Sequence, residues 1–244
     1  MTKKSEWTLM GETVKKWYED SVKPVRIRSI ILDEISAKYT AVFCADMING
    51  FCKHGNLASP RVDAISESIR ALFVKAHDAG VQNFILVQEW HDPKAKEFEA
   101  FPAHGIMNTD EAETISELRE LSFADKFIVF RKNTLSPAWA YHDGRYYKED
   151  FLVRVINLHL RTAIVVGNCT DLCMRELAMH LRMWSNQHQR DLRIVIPANC
   201  VETFDLPFDV ASKIGVMPHP GNMMHLLSLH EMARNGIEIV KEVV

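Results

Sequence analysis

The segment that ends at Cys173 contains the residue types of a nucleophilic catalytic site. A β-branched apolar run, Ala163–Val166, stops at Gly167, which predicts a strand that turns sharply into a helix. Thr170 or Asp171 can cap that helix, so Cys173 is expected in its first turn. Amide groups there lack partners within the helix, and a nearby thiol ionises more easily than a free cysteine, whose pKa is about 8.5. The position predicts a nucleophile, although cysteines buried as small apolar residues are common.

Two charged residues follow other predicted strands and can assist such a nucleophile. Asp46 follows the apolar run Ala41–Ala45, and Lys132 follows the run Phe127–Phe130. If these strands lie parallel to the strand before Cys173, all three side chains meet at the carboxyl edge of one sheet. A carboxylate beside a thiol can take its proton, and a lysine stabilises both anions and lowers the pKa of the thiol.

A third group has the residue types and spacing of a metal site. Glu89 and His91 lie at a strand end with the spacing i, i+2, and His104 lies in a loop 13 residues beyond His91. One carboxylate and two imidazoles suit a catalytic zinc, iron or manganese ion that keeps open positions. Histidines in loops also cap helices or bind the backbone, and a glutamate can be solvated, so both interpretations stay open from spacing alone.

Strand-like and helix-like segments alternate along the chain and must position these residues. The predicted strands are Thr40–Asp46, Phe84–Val87, Lys126–Phe130, Ala163–Val166, Leu192–Ile196 and Ile237–Val240. The predicted helices are Leu9–Ser21, Pro60–Ala79, Thr109–Leu121, Asp150–Leu160, Thr170–Trp184 and Met223–Arg234. Alternating βα units predict an α/β fold with three α/β/α layers and a mainly parallel, roughly six-stranded sheet.

Composition excludes several classes of protein. The 244 residues are 47% hydrophobic and 25% charged, with a formal net charge of −3. No long basic run is present, so nothing favours a nucleic acid or membrane partner. The first residues lack an apolar signal core, and no stretch approaches transmembrane length. Five cysteines in or near apolar runs are expected to be reduced thiols, which favours a cytoplasmic protein.

Three motifs together resemble the cysteine hydrolase (isochorismatase-like) superfamily, and within it the nicotinamidases most. The motifs are Asp46-Met-Ile-Asn-Gly-Phe51, then Arg131-Lys132 with Ser136-Pro-Ala-Trp139, and finally Gly167-Asn-Cys-Thr-Asp-Leu-Cys173. They occur in the family's order within residues 40–198, and each follows a predicted strand. We therefore predict an isochorismatase-like hydrolase domain over residues 40–244. Residues 1–39 are predicted as a helical N-terminal extension that covers a sheet edge or contacts a neighbouring subunit.

The resemblance implies a role for several residues. Asp46, Lys132 and Cys173 correspond to the family's catalytic residues. The backbone N–H groups of Cys169 and Cys173 would form the oxyanion hole, and the peptide bond before Cys169 is expected to be cis. Phe51 is expected to stack on the substrate, and Trp139, which follows the lysine segment, is a second candidate for the pocket wall.

The resemblance also implies a metal and a reaction. Nicotinamidases bind a divalent metal, here expected to be zinc, iron or manganese, through an Asp-x-His and a later histidine, and the metal orients the pyridine ring. This chain has Glu89 where the family has aspartate, followed by His91 and His104, and Asp92 is a possible replacement ligand. The expected reaction is hydrolysis of nicotinamide to nicotinate and ammonia through a cysteine thioester, by an enzyme that is expected to form homo-oligomers.

Three alternatives remain. The chain can be a metal-independent cysteine amidohydrolase that acts on a carbamoyl or ureido compound. Isochorismatase chemistry, hydrolysis of a vinyl ether, is less favoured because it needs no nucleophilic thiol. A catalytically silent binding member of the fold is also less favoured, because Asp46, Lys132 and Cys173 are all present. Fold resemblance alone does not choose the substrate.

Overall fold

The central element of the protein is a mainly parallel β-sheet. The structure is a computed structural model that describes residues 6–31, 33–142 and 151–244. The strands are β1 (Thr40–Ala45), β2 (Asn83–Glu89), β3 (Phe127–Lys132), β4 (Tyr141–His142), β5 (Thr162–Asn168), β6 (Arg193–Pro197), β7 (Val201–Glu202) and β8 (Glu238–Val240). Their spatial order is β4-β3-β2-β1-β5-β6-β8, and β7 pairs with the end of β5. The β3–β4 pair is antiparallel, whereas the other strand pairs are parallel.

Helices cover both faces of this sheet. They are α1 (Glu6–Ser21), α2 (Ile27–Ile30), α3 (Glu34–Lys38), α4 (Asn49–Cys52), α5 (Pro60–Asp63), α6 (Ser66–Asp78), α7 (Ser116–Arg119), α8 (Phe151–Asn157), α9 (Cys173–Gln187), α10 (Phe208–Ile214) and α11 (Gly221–Arg234). All six residues of β1 are buried, and its residues from Ala41 to Ala45 alternate between two apolar cores. Val42 and Cys44 pack in the core that contains α6, whereas Ala41 and Phe43 pack in the core that contains α9 and α11.

The predicted architecture is therefore confirmed. All six predicted strands occur, and β4 and β7 are additional strands of two residues, too short to produce an apolar period. The predicted helix 60–79 is divided into α5 and α6 by a turn at residues 64–65. The predicted helix 150–160 corresponds to α8, and its first residue, Asp150, lies outside the described residues.

The predicted helix Thr109–Leu121 is wrong. The segment contains a 3₁₀ turn at Asp110–Ala112 and the single turn α7. Between them the backbone pairs with the segment after β1: the N–H of Asn49 donates to the Glu113 carbonyl at 2.9 Å, and the N–H of Ile115 donates to the Met47 carbonyl at 3.1 Å. This long-range pairing replaces helical hydrogen bonds, so helical periodicity was a misleading signal here.

The N-terminal segment contacts the C-terminal part of the same chain. Trp17 on α1 meets the ring of His230 on α11 edge-on, with centroids 5.1 Å apart. The N–H of Val25 donates to Glu242, and Val244 exchanges backbone hydrogen bonds with Val25 and Ile27. The extension thus lies beside the β8 side of the sheet. Across the described ranges, no helix has the length and apolar character needed to cross a membrane.

Candidate active site

The strand register brings the predicted catalytic residues to one edge of the sheet. β3, β2, β1 and β5 are adjacent and parallel, and Glu89 pairs with Lys132 at the ends of β2 and β3. Ala45 pairs with Gly167, so Asp46 and the segment after β5 begin side by side. Gly167 has φ +110°, and a Cβ there would lie 2.1 Å from the Ala45 carbonyl oxygen, which requires glycine at this close approach.

Asp46, Lys132 and Cys173, which we call the catalytic group, contact one another in the interior. The Lys132 Nζ atom lies 2.9 Å from Asp46 Oδ2 and 3.5 Å from Cys173 Sγ, and a carboxylate oxygen of Asp46 lies within 4.8 Å of the sulfur. Glu89 joins them through Oε1, which lies 3.1 Å from Lys132 Nζ and 3.3 Å from Cys173 Sγ. The side chains of these residues are buried, so one ammonium group faces two carboxylates and a thiol away from water.

Burial controls the protonation of this group. Desolvation raises the pKa of Asp46 to about 6, against the lowering effect of the adjacent Lys132 ammonium. Burial also raises the pKa of the Cys173 thiol well above its usual value, and Lys132 opposes that rise while Asp46 and Glu89 add to it. The expectation of a more acidic thiol is wrong, because one lysine and a helix start do not outweigh full burial beside two carboxylates. The resting sulfur is a thiol beside a base.

Lys132 keeps its charge despite its burial. Desolvation lowers the pKa of its ammonium group, but Asp46, Cys173 and Glu89 raise it by a larger amount, so the pKa lies well above the usual value. The lysine therefore remains the cation that compensates the surrounding anions during proton transfer.

The helix that bears the nucleophile begins at Cys173 itself. Its N-cap is Leu172, which makes no side-chain cap, so the predicted capping by Thr170 or Asp171 is wrong. Those two side chains contact residues of the C-terminal segment instead. As the first residue of α9, Cys173 has a backbone N–H without a partner inside the helix.

The peptide bond between Asn168 and Cys169 is cis, as the resemblance implies. The Asn168 side-chain amide donates to the Asp46 carbonyl oxygen at 2.6 Å, which ties the segment after β5 to the segment after β1. Cys169 and Cys173 both line the same cavity.

Glu89, His91, Glu97 and His104, which we call the ligand cluster, lie next to the catalytic group. Glu89 Oε2 lies 2.9 Å from His104 Nε2 and 3.2 Å from His91 Nε2. Glu97 Oε1 lies 3.9 Å from His91 Nε2, and one ligand atom from each of the four residues lies within 4.8 Å of the others. The structure thus brings together the three predicted ligands and adds Glu97.

Backbone pairing and outer contacts orient the two imidazoles. The N–H of His91 donates to the Gly105 carbonyl at 2.9 Å, which holds the loop containing His104 against the end of β2. His91 Nδ1 lies 3.1 Å from the side-chain oxygen of Asn133, and His104 Nδ1 lies 2.6 Å from the Pro102 carbonyl. Both acceptors favour protonated Nδ1 atoms, which leaves the Nε2 lone pairs directed at the cluster.

The inner atoms of the ligand cluster fit a divalent cation. Among the described residues, Glu89 Oε2, His91 Nε2 and Glu97 Oε1 are buried without a partner in hydrogen-bonding geometry. Each buried polar group without a partner reduces the stability of the folded protein by about 1–3 kcal/mol. Here the three atoms face one another, so one cation between them would contact all three. Two carboxylates and two imidazoles are suitable donors for zinc, iron or manganese.

Charge within the ligand cluster agrees with this fit. Burial raises the pKa of Glu89, but Lys132 and the two histidines lower it by more, so it lies well below the usual range. Burial lowers the pKa of His104, but contact with the Glu89 carboxylate raises it above its usual value overall.

Asp92 does not belong to the ligand cluster, so the expectation that it replaces Glu89 is wrong. Its side chain is exposed, and its carboxylate accepts the N–H of Lys94 at 2.8 Å. Glu97 supplies the additional carboxylate instead, with its other oxygen bound by the N–H of Leu135 at 3.2 Å. Glu97 lies in the charged run Lys96–Glu99, which by sequence is typical of an exposed turn, so no spacing signal identified it.

A single cavity joins the nucleophile to the ligand cluster. Its walls are mostly apolar. Phe51 lines the cavity, and its ring centroid lies 5.5 Å from that of His104. This position agrees with the expectation that Phe51 contacts the substrate. Trp139 is 73% exposed and is not among the lining residues, so the structure does not place it in the pocket wall. The lining residues are Phe51, Leu57, Glu89, Glu97, Phe101, His104, Leu135, Asn168, Cys169, Leu172, Cys173 and Phe204.

Known proteins share this sequence pattern and architecture. The chain matches the isochorismatase domain family over residues 40–224. It is 27% identical over 209 residues to Nicotinamidase 1 of Arabidopsis thaliana, covering 81% of this chain and 84% of that protein.

Two solved structures resemble the fold. N-carbamoylsarcosine amidase from Thermoplasma acidophilum has a TM-score of 0.60 and 19% identity, covering 83% of this chain and 95% of the other. The pyrazinamidase of Pyrococcus horikoshii in complex with zinc has a TM-score of 0.60 and 18% identity, covering 83% of this chain and 99% of the other. At these identities the likeness concerns the fold, which is common to amidases of different substrates.

Proposed function

The chain belongs to the isochorismatase family and is a hydrolase of amide C–N bonds, and we propose that its substrate is nicotinamide or a close aromatic analogue. The products would be the aromatic acid and ammonia. The observation that carries this proposal is the shared cavity, in which Cys173 lies beside a cluster of metal-ligating side chains. Glu89 belongs to both groups, with Oε1 toward Cys173 and Oε2 toward the histidines.

Acylation begins with proton transfer from Cys173 to Asp46. The two groups lie within 4.8 Å of each other, and the carboxylate is a stronger base than usual because burial raises its pKa to about 6. The sulfur attacks the amide carbon, and the backbone N–H groups of Cys169 and Cys173 stabilise the negative charge on the carbonyl oxygen. The C–N bond then breaks, the proton on Asp46 passes to the leaving ammonia, and a thioester remains on the sulfur.

Deacylation uses the same residues. Asp46, again ionised, takes a proton from a water molecule that attacks the thioester carbon. The C–S bond breaks, the carboxylic acid leaves, and the proton returns to the sulfur. Lys132 stays close to both Asp46 and Cys173 throughout, so the negative charge that moves between them remains compensated.

The ligand cluster would hold a divalent metal, with zinc as the first candidate. A bound ion supplies a Lewis-acid contact for the ring nitrogen of nicotinamide, which orients the amide toward the sulfur. The unsatisfied inner atoms of the cluster support this assignment, and the pyrazinamidase of Pyrococcus horikoshii is a relative in fold that was solved with zinc. Phe51 would contact the ring from the cavity wall.

The cavity wall favours an aromatic amide over a carbamoyl amino acid. N-carbamoyl amino acids carry a carboxylate, which normally needs a lysine or arginine partner. Among the described lining residues there is none, and the ionisable carboxylates of Glu89 and Glu97 would repel an anion. A neutral, flat, apolar ring suits these walls better. A silent binding member of the fold is disfavoured because the catalytic group is assembled at contact distances.

An ammonia-release screen tests the proposal. The purified protein is treated with a chelator, divided, and supplied with zinc, iron or manganese before nicotinamide, pyrazinamide or N-carbamoylsarcosine is added. We expect turnover of the two aromatic amides that depends on added metal. Metal-independent turnover of N-carbamoylsarcosine would favour the carbamoyl alternative, and no turnover of any amide would favour a binding protein.

Cytoplasmic location and homo-oligomer formation stay predictions. The first can be checked by cell fractionation and the second by light scattering coupled to gel filtration. A monomer in solution would contradict the second prediction without affecting the proposed reaction.

A further inference from the structure

His219 lies outside the cavity lining but contacts both a wall of the cavity and the segment that carries the nucleophile. Its ring stacks on Phe204, with centroids 3.8 Å apart and an interplanar angle of 15°. Phe204 in turn lines the cavity. His219 Nε2 lies 2.7 Å from Asp171 Oδ2. The Asp171 side chain is 2% exposed. Asp171 belongs to the nucleophile turn, by which we mean residues 168–173.

The backbone around His219 is itself fixed. Leu206 and His219 exchange two backbone hydrogen bonds of 2.8 and 2.9 Å, and the N–H of Gly221 donates to Asp205 Oδ1 at 2.7 Å. A Cβ on Gly221 would lie 2.4 Å from the Phe204 carbonyl oxygen, so glycine permits this close approach. His219 Nδ1 also lies 2.9 Å from that carbonyl. The imidazole therefore has little freedom to rotate.

A second histidine supports the nucleophile turn without touching the cavity wall. His225 Nδ1 lies 2.9 Å from Thr170 Oγ1, and 3.5 Å from Glu202 Oε1. Neither His225 nor Thr170 is among the residues that line the cavity. Both histidines contact the nucleophile turn, but His219 also contacts Phe204 in the cavity wall.

We propose that His219 is a positioning residue that sets the distance between the substrate ring and the nucleophile. Its stacked ring holds Phe204 as a flat wall for an aromatic substrate. Its hydrogen bond to Asp171 holds the turn two residues before Cys173. This inference rests on the proposed function, because a flat wall matters most for an aromatic amide.

Substitutions can separate the two contacts. His219→Gln keeps an N–H donor for Asp171 but loses the ring, so KM for nicotinamide rises about three- to tenfold with kcat near the wild-type value. His219→Phe keeps the ring but loses the donor, so kcat falls roughly 10- to 100-fold with KM nearly unchanged. Phe204→Leu removes the other ring of the stack and reproduces the rise in KM seen with His219→Gln.

A control variant and a measurement that does not require turnover complete the test. His188 is an exposed histidine near the far end of α9, and its ring is tilted at 31° to that of Trp184 with centroids 5.3 Å apart. It gives the matched control His188→Gln, which keeps wild-type values. The rate at which iodoacetamide alkylates Cys173, followed by mass spectrometry, reports on the turn itself. We expect this rate to change in His219→Phe and to stay at the wild-type value in His219→Gln.

Each outcome decides the inference. Equal changes of kcat and KM in His219→Gln and His219→Phe, or no change in either, overturn it. If thermal unfolding shows that His219→Phe is not folded, the KM values of the other two variants decide. The inference stands when KM rises equally in Phe204→Leu and His219→Gln, and it falls when it does not. If the wild-type protein releases no ammonia from nicotinamide, the proposed function fails, and the alkylation rates alone decide: a difference between the two His219 variants supports the inference, and equal rates overturn it.

Discussion

The catalytic group and the ligand cluster are two buried polar regions at the same sheet edge, and they differ in how their charge is balanced. The catalytic group contains its own cation, since Lys132 Nζ lies within 3.1 Å of both the Asp46 and the Glu89 carboxylates. The ligand cluster adds the Glu97 carboxylate and contains imidazoles that are cations only when protonated. Three of its inner atoms have no hydrogen-bond partner among the described residues.

The comparison indicates that the ligand cluster, rather than the catalytic group, suits an additional cation. The catalytic group has an ammonium at contact distance from both carboxylates, although Asp46 Oδ2, like the three inner atoms of the ligand cluster, has no partner in hydrogen-bonding geometry among the described residues. The ligand cluster has no such permanent cation, and its donors are compatible with a divalent metal between them. Glu89 connects the two through its two carboxylate oxygens, so the longer side chain at the position where the family has aspartate reaches both regions.

Removing the nucleophile is expected to produce the largest effect, and it tests whether the catalytic group performs the chemistry. Cys173→Ala should reduce ammonia release from nicotinamide by roughly 10⁴-fold or more. The matched control is Cys200→Ala, since Cys200 is buried in an apolar core and does not line the cavity. Turnover near wild type in Cys173→Ala would exclude the thioester route.

Removing the internal cation tests whether the catalytic group is balanced by itself. Lys132→Met leaves the Asp46 and Glu89 carboxylates buried without their ammonium partner. We expect the free energy of unfolding, measured with urea, to fall by about 3–5 kcal/mol, together with loss of turnover. A matched control is Lys96→Met, because the Lys96–Glu99 pair is exposed. Unchanged stability in Lys132→Met would contradict the balance we describe.

Removing the metal tests whether the ligand cluster is incomplete without an ion. After chelation, nicotinamide turnover should fall by about 100-fold and return on addition of zinc, iron or manganese. Added metal at 100 times its Kd should also stabilise the folded protein by about 2.7 kcal/mol, which calorimetry can detect without substrate. His104→Ala should abolish this stabilisation, and its persistence would place the metal elsewhere.

Neutralising Glu97 tests the member of the ligand cluster that no sequence pattern indicated. Glu97→Gln should weaken metal binding by about tenfold, measured by titration calorimetry, because the carboxylate charge is lost while the side-chain shape is kept. Asp92→Asn is the matched control and should bind metal as the wild type does, because Asp92 is exposed and bound to Lys94. Equal effects of the two substitutions would remove Glu97 from the ligand set.

A pH profile gives the smallest expected effect and concerns the base of the catalytic group. Because burial raises the pKa of Asp46 to about 6, its active carboxylate form is present above that pH and is lost as the pH falls through it. For metal-saturated protein, kcat/KM should be about half-maximal near pH 6 and about tenfold reduced at pH 5. Thermal unfolding at pH 5 serves as the control for structure, and a flat profile down to that pH would contradict this role of Asp46.

Local sequence determined the sheet and the residues at its edge. Apolar runs predicted all six main strands, and parallel order requires the residues that follow those strands to meet. Asp46, Glu89, Lys132 and Cys173 were therefore predictable as neighbours, and the motifs around them identified the family.

Tertiary structure decided the properties that depend on residues distant in the chain. The raised pKa of the Cys173 thiol results from burial among side chains of other strands, which a local motif does not contain. Glu97 reaches the cluster because the loop after β2 folds back through the His91–Gly105 pairing, and Trp139 is exposed although it follows the catalytic lysine segment. Periodicity and chain order are local and can be read from sequence, whereas burial and loop paths arise from contacts between segments that only the folded chain brings together.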